Sequence, residues 1–151
     1  MAKNCIFCDI ANGKINAYKV YEEKNYLAFL DIFPNIKGQT LVIPKRHMGS
    51  NIFDLNDKEL VEFIKATKRV AKLLENKLGV GRVHLVFEGT GVNHIHAKLY
   101  PAIGLKSKEF KEIWAKEKAY FKKYEGYVTT LTGPKASDAS LRRVMWQIRK
   151  G

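Results

Sequence analysis

Apolar residues recur at two spacings along this chain, and those spacings assign most of its elements. Between Asn56 and Gly79, the residues Leu60, Ile64, Thr67, Ala71, Leu74 and Leu78 repeat every three or four positions, the period of one helical face. Asn56 can cap the start, Glu59 stands three residues on as its capping-box partner, and Gly79 closes the pattern. A long amphipathic helix is predicted over Asp57 to Leu78. Leu141, Val144, Met145 and Ile148 fall at i, i+3, i+4 and i+7 and predict a last helix. Ser107 can cap another, bearing Phe110, Ile113, Trp114, Phe121 and Tyr124.

Shorter stretches read as strands. Lys19–Glu22 and Tyr26–Asp31 are joined by a polar turn, and Pro34 and Gly38 mark the loop that follows. Gln39–Pro44 is a third strand, rich in β-branched residues, with His47 just past its end. Arg82–Glu88 is the fourth and His94–Tyr100 the fifth, stopped by Pro101. Residues 5–13 make one short helical turn ending at Gly13. In the fifth strand, His94, His96 and Lys98 alternate with Ile95, Ala97 and Leu99. Side chains two apart share a face of a strand, so three basic groups form one row and the apolar residues face a core. Strands joined by short polar loops, with a helix on one side, predict an α+β domain around a mainly antiparallel five-stranded sheet. Residues 1–104 form its core, and residues 105–151 a basic helical extension of the same domain.

Composition narrows the class. At 151 residues and 46% apolar content the chain fits one globular domain. No apolar run approaches the ~18 residues of a membrane span. The start, Met-Ala-Lys-Asn-Cys, has no charged flank leading into an apolar stretch, so the expected setting is cytoplasmic, without a membrane partner. The formal charge of +12 is concentrated toward the end: residues 102–151 hold 12 Lys/Arg against 5 Asp/Glu. Such a surface attracts nucleotides and nucleic acid, or is simply a solvated lysine-rich exterior.

The two cysteines, Cys5 and Cys8, form a C-x-x-C pair. With no strand before it, the pair suits zinc better than thioredoxin-like redox chemistry, but supplies only half of a four-coordinate site. His47 and His94 complete a tetrahedral Cys2His2 set. His96 is left free beside it, and His84, on the fourth strand, reads as structural.

"CIFCDI", "FLDIFPNIKGQTLVIPKRH" and "VNHIHAKLYP" occur in this order, and over roughly residues 5–101 the chain resembles the histidine-triad (HIT) nucleotide-binding superfamily. The resemblance implies a HIT-like fold, usually a homodimer with a sheet shared between subunits, and a histidine that attacks the α-phosphorus of a nucleotide. The resulting nucleotidyl-histidine is hydrolysed or passed to an acceptor. His96 matches the nucleophile, and Cys5, Cys8, His47 and His94 match the ligands of a structural zinc. Asp31 matches the acid that contacts the ribose. Ile6, Phe7, Leu30 and Ile32 look like the base pocket of a purine nucleotide, each with core packing as the alternative role. Two features depart from the family pattern. Lys98 replaces the third histidine. The segment before the motif lacks the usual glutamine and serine and has Phe87 where asparagine is common, leaving Thr90 and the amides from Gly89 through Gly91 to Val92 as a small anion nest. Lys98, a cation beside His96, disfavours protonation of the ring and can lie against the phosphate.

The expected substrates are nucleoside phosphoramidates, dinucleoside polyphosphates or related nucleotides. The alternatives are a zinc-stabilised nucleotide-binding module with little catalysis, or an enzyme brought to nucleic-acid ends by the basic C-terminal third to remove adenylate.

Overall fold

A computed structural model describes residues 5–105 and 135–150. The helix foreseen after Ser107, with Trp114, lies outside the described residues. Five strands, β1 (Lys19–Glu22), β2 (Tyr26–Leu30), β3 (Thr40–Pro44), β4 (Val83–Val86) and β5 (Ala97–Pro101), form one sheet in the order β1-β2-β3-β5-β4. Every pairing is antiparallel. Among the described residues, three α-helices flank it: α1 (Ile6–Ala11), α2 (Asp57–Leu78) and α3 (Asp138–Lys150). The α+β class with an antiparallel five-stranded sheet is as the sequence predicts.

Helix α2 has the expected bounds, and its start carries both halves of the capping box. The Asn56 side chain accepts from the Glu59 amide, and the Glu59 carboxylate accepts from the Asn56 amide. Gly79 closes it in the left-handed conformation, φ 63°. The buried stripe is rotated from the expected one: Phe63, Ala66, Thr67, Val70 and Leu74 face the core, while Ile64 is exposed. Phe63, absent from the predicted repeat, is the largest of these, and its ring stacks on Tyr26 at 5.8 Å. An aromatic ring buries more surface than Ile64 would, and it sets which way the helix rolls.

The pleat divides the core in two. Val20, Ala28, Leu30, Val42, Ala97 and Leu99 face α2 and α3, whose Phe63, Val70, Leu74, Leu141, Val144 and Ile148 complete that layer. Leu27, Phe29, Leu41 and Ile43 face the other way, onto Phe7, Cys8 and Ile10 of α1. Both faces are therefore covered, and β3 is buried from end to end. Helix α3 is fastened to the loop after β2: the Ala136 amide donates to the Ile32 carbonyl at 3.0 Å, and Tyr18 hydrogen-bonds to Asp138. No helix among the described residues is long and apolar enough to cross a membrane.

Strand β5 begins at Ala97 rather than His94, and the register explains the difference. Thr40 pairs with Leu99 and Val42 with Ala97, so the next positions along would set Pro44 opposite Ile95. Proline has no N–H to give a ladder, and the ladder ends there. Residues 92–96 instead run beside the segment after β3, with the Ile95 amide donating to the Met48 carbonyl at 3.2 Å. The two histidines thus sit in a buried turn leading into the strand, not on a polar strand face.

Candidate active site and metal-binding cluster

The first turn of α1 brings the two cysteines to one side. Cys5 is the N-cap residue, and the Asp9 amide donates to its carbonyl at 3.1 Å; residues three apart on a helix are neighbours. Below them lie His47, three residues beyond β3, and His94. The Cys5 sulfur is 3.4 Å from His94 Nδ1, and the Cys8 sulfur is 3.4 Å from His47 Nδ1 and 3.5 Å from His94 Nδ1. All four potential ligand atoms lie within 4.8 Å of one another. The sequence-predicted set is brought together, and it could hold a metal ion.

The tautomer of His94 follows from its surroundings. Its Nε2 is 2.9 Å from the Pro44 carbonyl, which can only accept, so Nε2 carries the proton and donates. Nδ1 then presents its lone pair to the sulfurs. A hydrogen bond from the far nitrogen of a metal-binding histidine is the usual means of orienting the ring. Burial lowers the basicity of His94 from the ordinary histidine value. Burial, with Cys5 hydrogen-bonded beside it, pushes the Cys8 thiol up to about 11. A cation must therefore displace a proton from Cys8 to bind.

His96 lies next to this cluster and is 3% exposed. Its Nδ1 donates to the carbonyl oxygen of His94 at 2.9 Å. Nε2 is left with the free lone pair, the state a nucleophile needs. The Phe7 ring meets His96 edge-on at 5.3 Å and His94 at 5.9 Å, fixing both imidazoles. Burial lowers the His96 pKa, and Lys98 adds to this, while Glu88 and Asp31 act in the opposite direction.

Asp31 follows directly on β2, near enough to His96 to act on its ring. One carboxylate oxygen accepts from the Phe33 amide at 2.8 Å, and the other accepts from Gln39 Nε2 at 2.7 Å. The Gln39 side-chain oxygen in turn accepts from the Asn35 amide at 2.9 Å. The carboxylate is held still, with lone pairs to spare on both oxygens for ribose hydroxyls.

Five of the other sequence expectations need correction. Leu30 is 2% exposed and belongs to the layer beneath α2 and α3, so the pleat turns it away from any base pocket. Phe7 is also buried, as a wall of the histidine rings. Ile6 and Ile32, 48% and 42% exposed, are the two of that group open to a ligand. His84 is exposed on the edge strand β4 rather than part of the core. Lys98, expected to lie free for a phosphate, forms an ion pair with Glu88. The same Glu88 oxygen accepts from Thr90 Oγ1 at 3.1 Å, so the hydroxyl expected to face a phosphate is engaged as well. Gly89 and Gly91 do adopt positive φ, 67° and 84°. A Cβ on Gly89 would meet the Ser50 carbonyl oxygen at 2.9 Å.

Glu88, Gln39 and Pro44 were not singled out from sequence. The position of Glu88 follows from that of Phe87, whose ring packs on Phe63 in the α2-facing layer at 5.6 Å, a contact between segments distant in sequence. Alternation then turns Glu88 to the His96 side.

Fold and site together define a small α+β domain with a Cys/His cluster beside a second buried imidazole, His96. Residues 12–102 match the HIT domain family model, and the chain belongs to that family. An uncharacterized HIT-like protein of Methanocaldococcus jannaschii is 44% identical over 102 residues, covering 64% of this chain and 78% of that one. The adenosine 5′-monophosphoramidase of Candida albicans is 33% identical over 107 residues, covering 65% and 70%. Among solved structures, a HIT family hydrolase of Legionella pneumophila is 39% identical with a TM-score of 0.59, covering 66% of this chain and 93% of that one. A histidine triad nucleotide-binding protein of Sulfolobus tokodaii is similar in fold over 97% of this chain and 90% of its own, with a TM-score of 0.72 at 24% identity.

The cluster predicts that the purified protein takes up about one thiophilic divalent cation per chain, with release of protons. At a free concentration 100 times its Kd the cation adds about 2.7 kcal/mol of stability. Cys5→Ser should lose both the uptake and the rise in melting temperature. Equal metal content in wild type and Cys5→Ser would refute the assignment.

Proposed function

We propose that this chain is a nucleotidyl hydrolase or transferase working through a covalent nucleotidyl-His96 intermediate, stabilised by a structural zinc. The observation that carries the reading is the hydrogen bond from His96 Nδ1 to the His94 carbonyl, which leaves Nε2 unprotonated, as a nucleophile requires. In the first displacement Nε2 forms a bond to the α-phosphorus, and the bond to the leaving group breaks with its electron pair. A leaving amine takes up one proton from solvent. In the second, a water oxygen bonds to phosphorus, the N–P bond breaks back to Nε2, and one proton returns to solvent, leaving a nucleoside monophosphate. Asp31 accepts from the ribose hydroxyls, and Ile6 and Ile32 border the base. The substrate classes are nucleoside phosphoramidates, dinucleoside polyphosphates or related nucleotides; the Candida relative is named for the first.

Zinc fits the donor set. Bonds of ~2.3 Å to sulfur and ~2.0–2.1 Å to nitrogen in a tetrahedron set S···N edges of about 3.5 Å, against the 3.4, 3.4 and 3.5 Å between these ligands. When bound, it supplies a cross-link among α1, His47 and His94.

One observation favours the second reading, a nucleotide-binding module. Lys98 and Thr90 are both engaged by Glu88, which reduces what the short loop offers a phosphate. Mass spectrometry after mixing with an activated AMP separates the two. Wild type should gain one AMP moiety on His96, and His96→Ala should gain none while still binding AMP, with turnover lower by roughly 10³-fold or more. Turnover by His96→Ala at the wild-type rate would overturn the nucleophile.

The active form is proposed to be a homodimer. Among the described residues, strand β4 is a sheet edge carrying exposed Leu85, the kind of edge a second strand completes. Trp146 is also exposed on α3, with Lys150 over its ring at 4.2 Å. Light scattering should report twice 17.3 kDa at micromolar concentration; the mass of one chain would contradict the dimer.

A further inference from the structure

The ion pair beside the nucleophile has a chemical consequence for substrate choice. Lys98 is two residues beyond His96, and β4 pairs Val86 with Lys98. Continuing that register beyond the last ladder pair sets Glu88 across from His96. The Glu88 carboxylate closes onto the Lys98 ammonium, and Thr90 donates to the same oxygen. Both charged side chains are largely enclosed, 21% and 11% exposed for Lys98 and Glu88, so solvent screens them poorly. The third charged group acting on His96 is Asp31. Among the described residues, one positive and two negative side chains thus act on the ring that would attack phosphorus, and that cation is paired with Glu88.

Any nucleotide brings one anionic phosphoryl group to His96. The substrates differ in what is attached to it. A polyphosphate or sulfate leaving group adds further negative charge and departs as an anion. An amine leaving group adds none, and departs neutral or as a cation. A site with a free ammonium favours the first kind. A site whose ammonium is neutralised by an enclosed carboxylate does not, because like charges at short range repel strongly in a partly desolvated setting.

We propose that Glu88 is a specificity-determining residue: by holding Lys98 in an ion pair next to His96, it turns the site against nucleotides with polyphosphate or sulfate leaving groups and toward those whose leaving group is an amine. This rests on the reading of His96 as the nucleophile. Lys98 in turn keeps the enclosed carboxylate from repelling the phosphoryl group that every substrate carries. The pair sets a charge difference between leaving groups, which neither residue would set alone.

The test compares two adenylates on the full-length, metal-loaded protein: adenosine 5′-phosphoramidate and diadenosine tetraphosphate. The quantity read is the ratio of their kcat/KM values. Wild type should prefer the phosphoramidate. Glu88→Gln, which frees the ammonium without changing size, should move the ratio toward the tetraphosphate by about tenfold or more. Lys98→Gln, which leaves the carboxylate unpaired, should move it the other way. A purely structural role would lower both substrates together. An unchanged ratio in both variants, or a shift in Glu88→Gln toward the phosphoramidate, overturns the proposal.

A binding readout keeps this independent of the chemistry at His96. The affinity of ATP relative to AMP should rise in Glu88→Gln by a similar factor and fall in Lys98→Gln. If no adduct forms on His96 but these affinities shift as stated, the covalent mechanism fails and the charge selection by Glu88 stands. If the adduct forms and neither the kinetic nor the affinity ratio moves, the charge selection fails alone.

Discussion

The site depends on three hydrogen-bonding positions of one residue. His94 uses its Nε2 to donate to the Pro44 carbonyl, turns Nδ1 to the two cysteines, and accepts the Nδ1 proton of His96 on its backbone oxygen. Each bond decides the next. The carbonyl of Pro44 selects the tautomer of His94, that tautomer makes Nδ1 a ligand, and the position of the His94 backbone selects the tautomer of His96. The Cys/His cluster and the proposed nucleophile are thereby parts of one network in a buried place, where an unmade hydrogen bond costs about 1–3 kcal/mol. No buried side-chain nitrogen or oxygen among the described residues lacks a partner.

The sheet makes room for this arrangement. Had β3 continued without proline, β5 could have paired back to His94, and the histidine rings would have been fixed by strand geometry alone. Pro44 stops the ladder and offers its own carbonyl to a side chain instead. The chain then turns against Met48 and brings His94 within reach of both His47 and α1. On the opposite face, α2 and α3 press the sheet flat against that layer, and α3 also holds the loop that carries Asp31. Position at the site thus derives from packing on both sides of the same five strands.

Much of this was legible from residues alone. The capping box and glycine stop of α2, the β-branched run of β3, and the Cys2His2 set depend on local spacing or on a small inventory of chemistry-bearing side chains. What escaped depends on register between distant segments. Leu30 faces the layer beneath α2 and α3, so placing it in the base pocket beside Asp31 ignored the pleat. The roll of α2 was set by Phe63 against Tyr26, a contact invisible to a count of apolar spacings. The pairing of Lys98 with Glu88 needed the β4–β5 register and the inward turn of Phe87, so the lysine looked free when only its own strand was considered.

The tautomer of His96 is where the account is most exposed. Nitrogen-15 NMR of the imidazoles in uniformly labelled, metal-loaded protein near neutral pH reads it directly, through the shifts of the two ring nitrogens and their couplings to the ring protons. The account predicts a neutral His96 with its proton on Nδ1 and an unprotonated Nε2, and a His94 with its proton on Nε2. A His96 ring protonated at Nε2, with a bare Nδ1, would contradict the bond to the His94 carbonyl and with it the link between the Cys/His cluster and the proposed nucleophile.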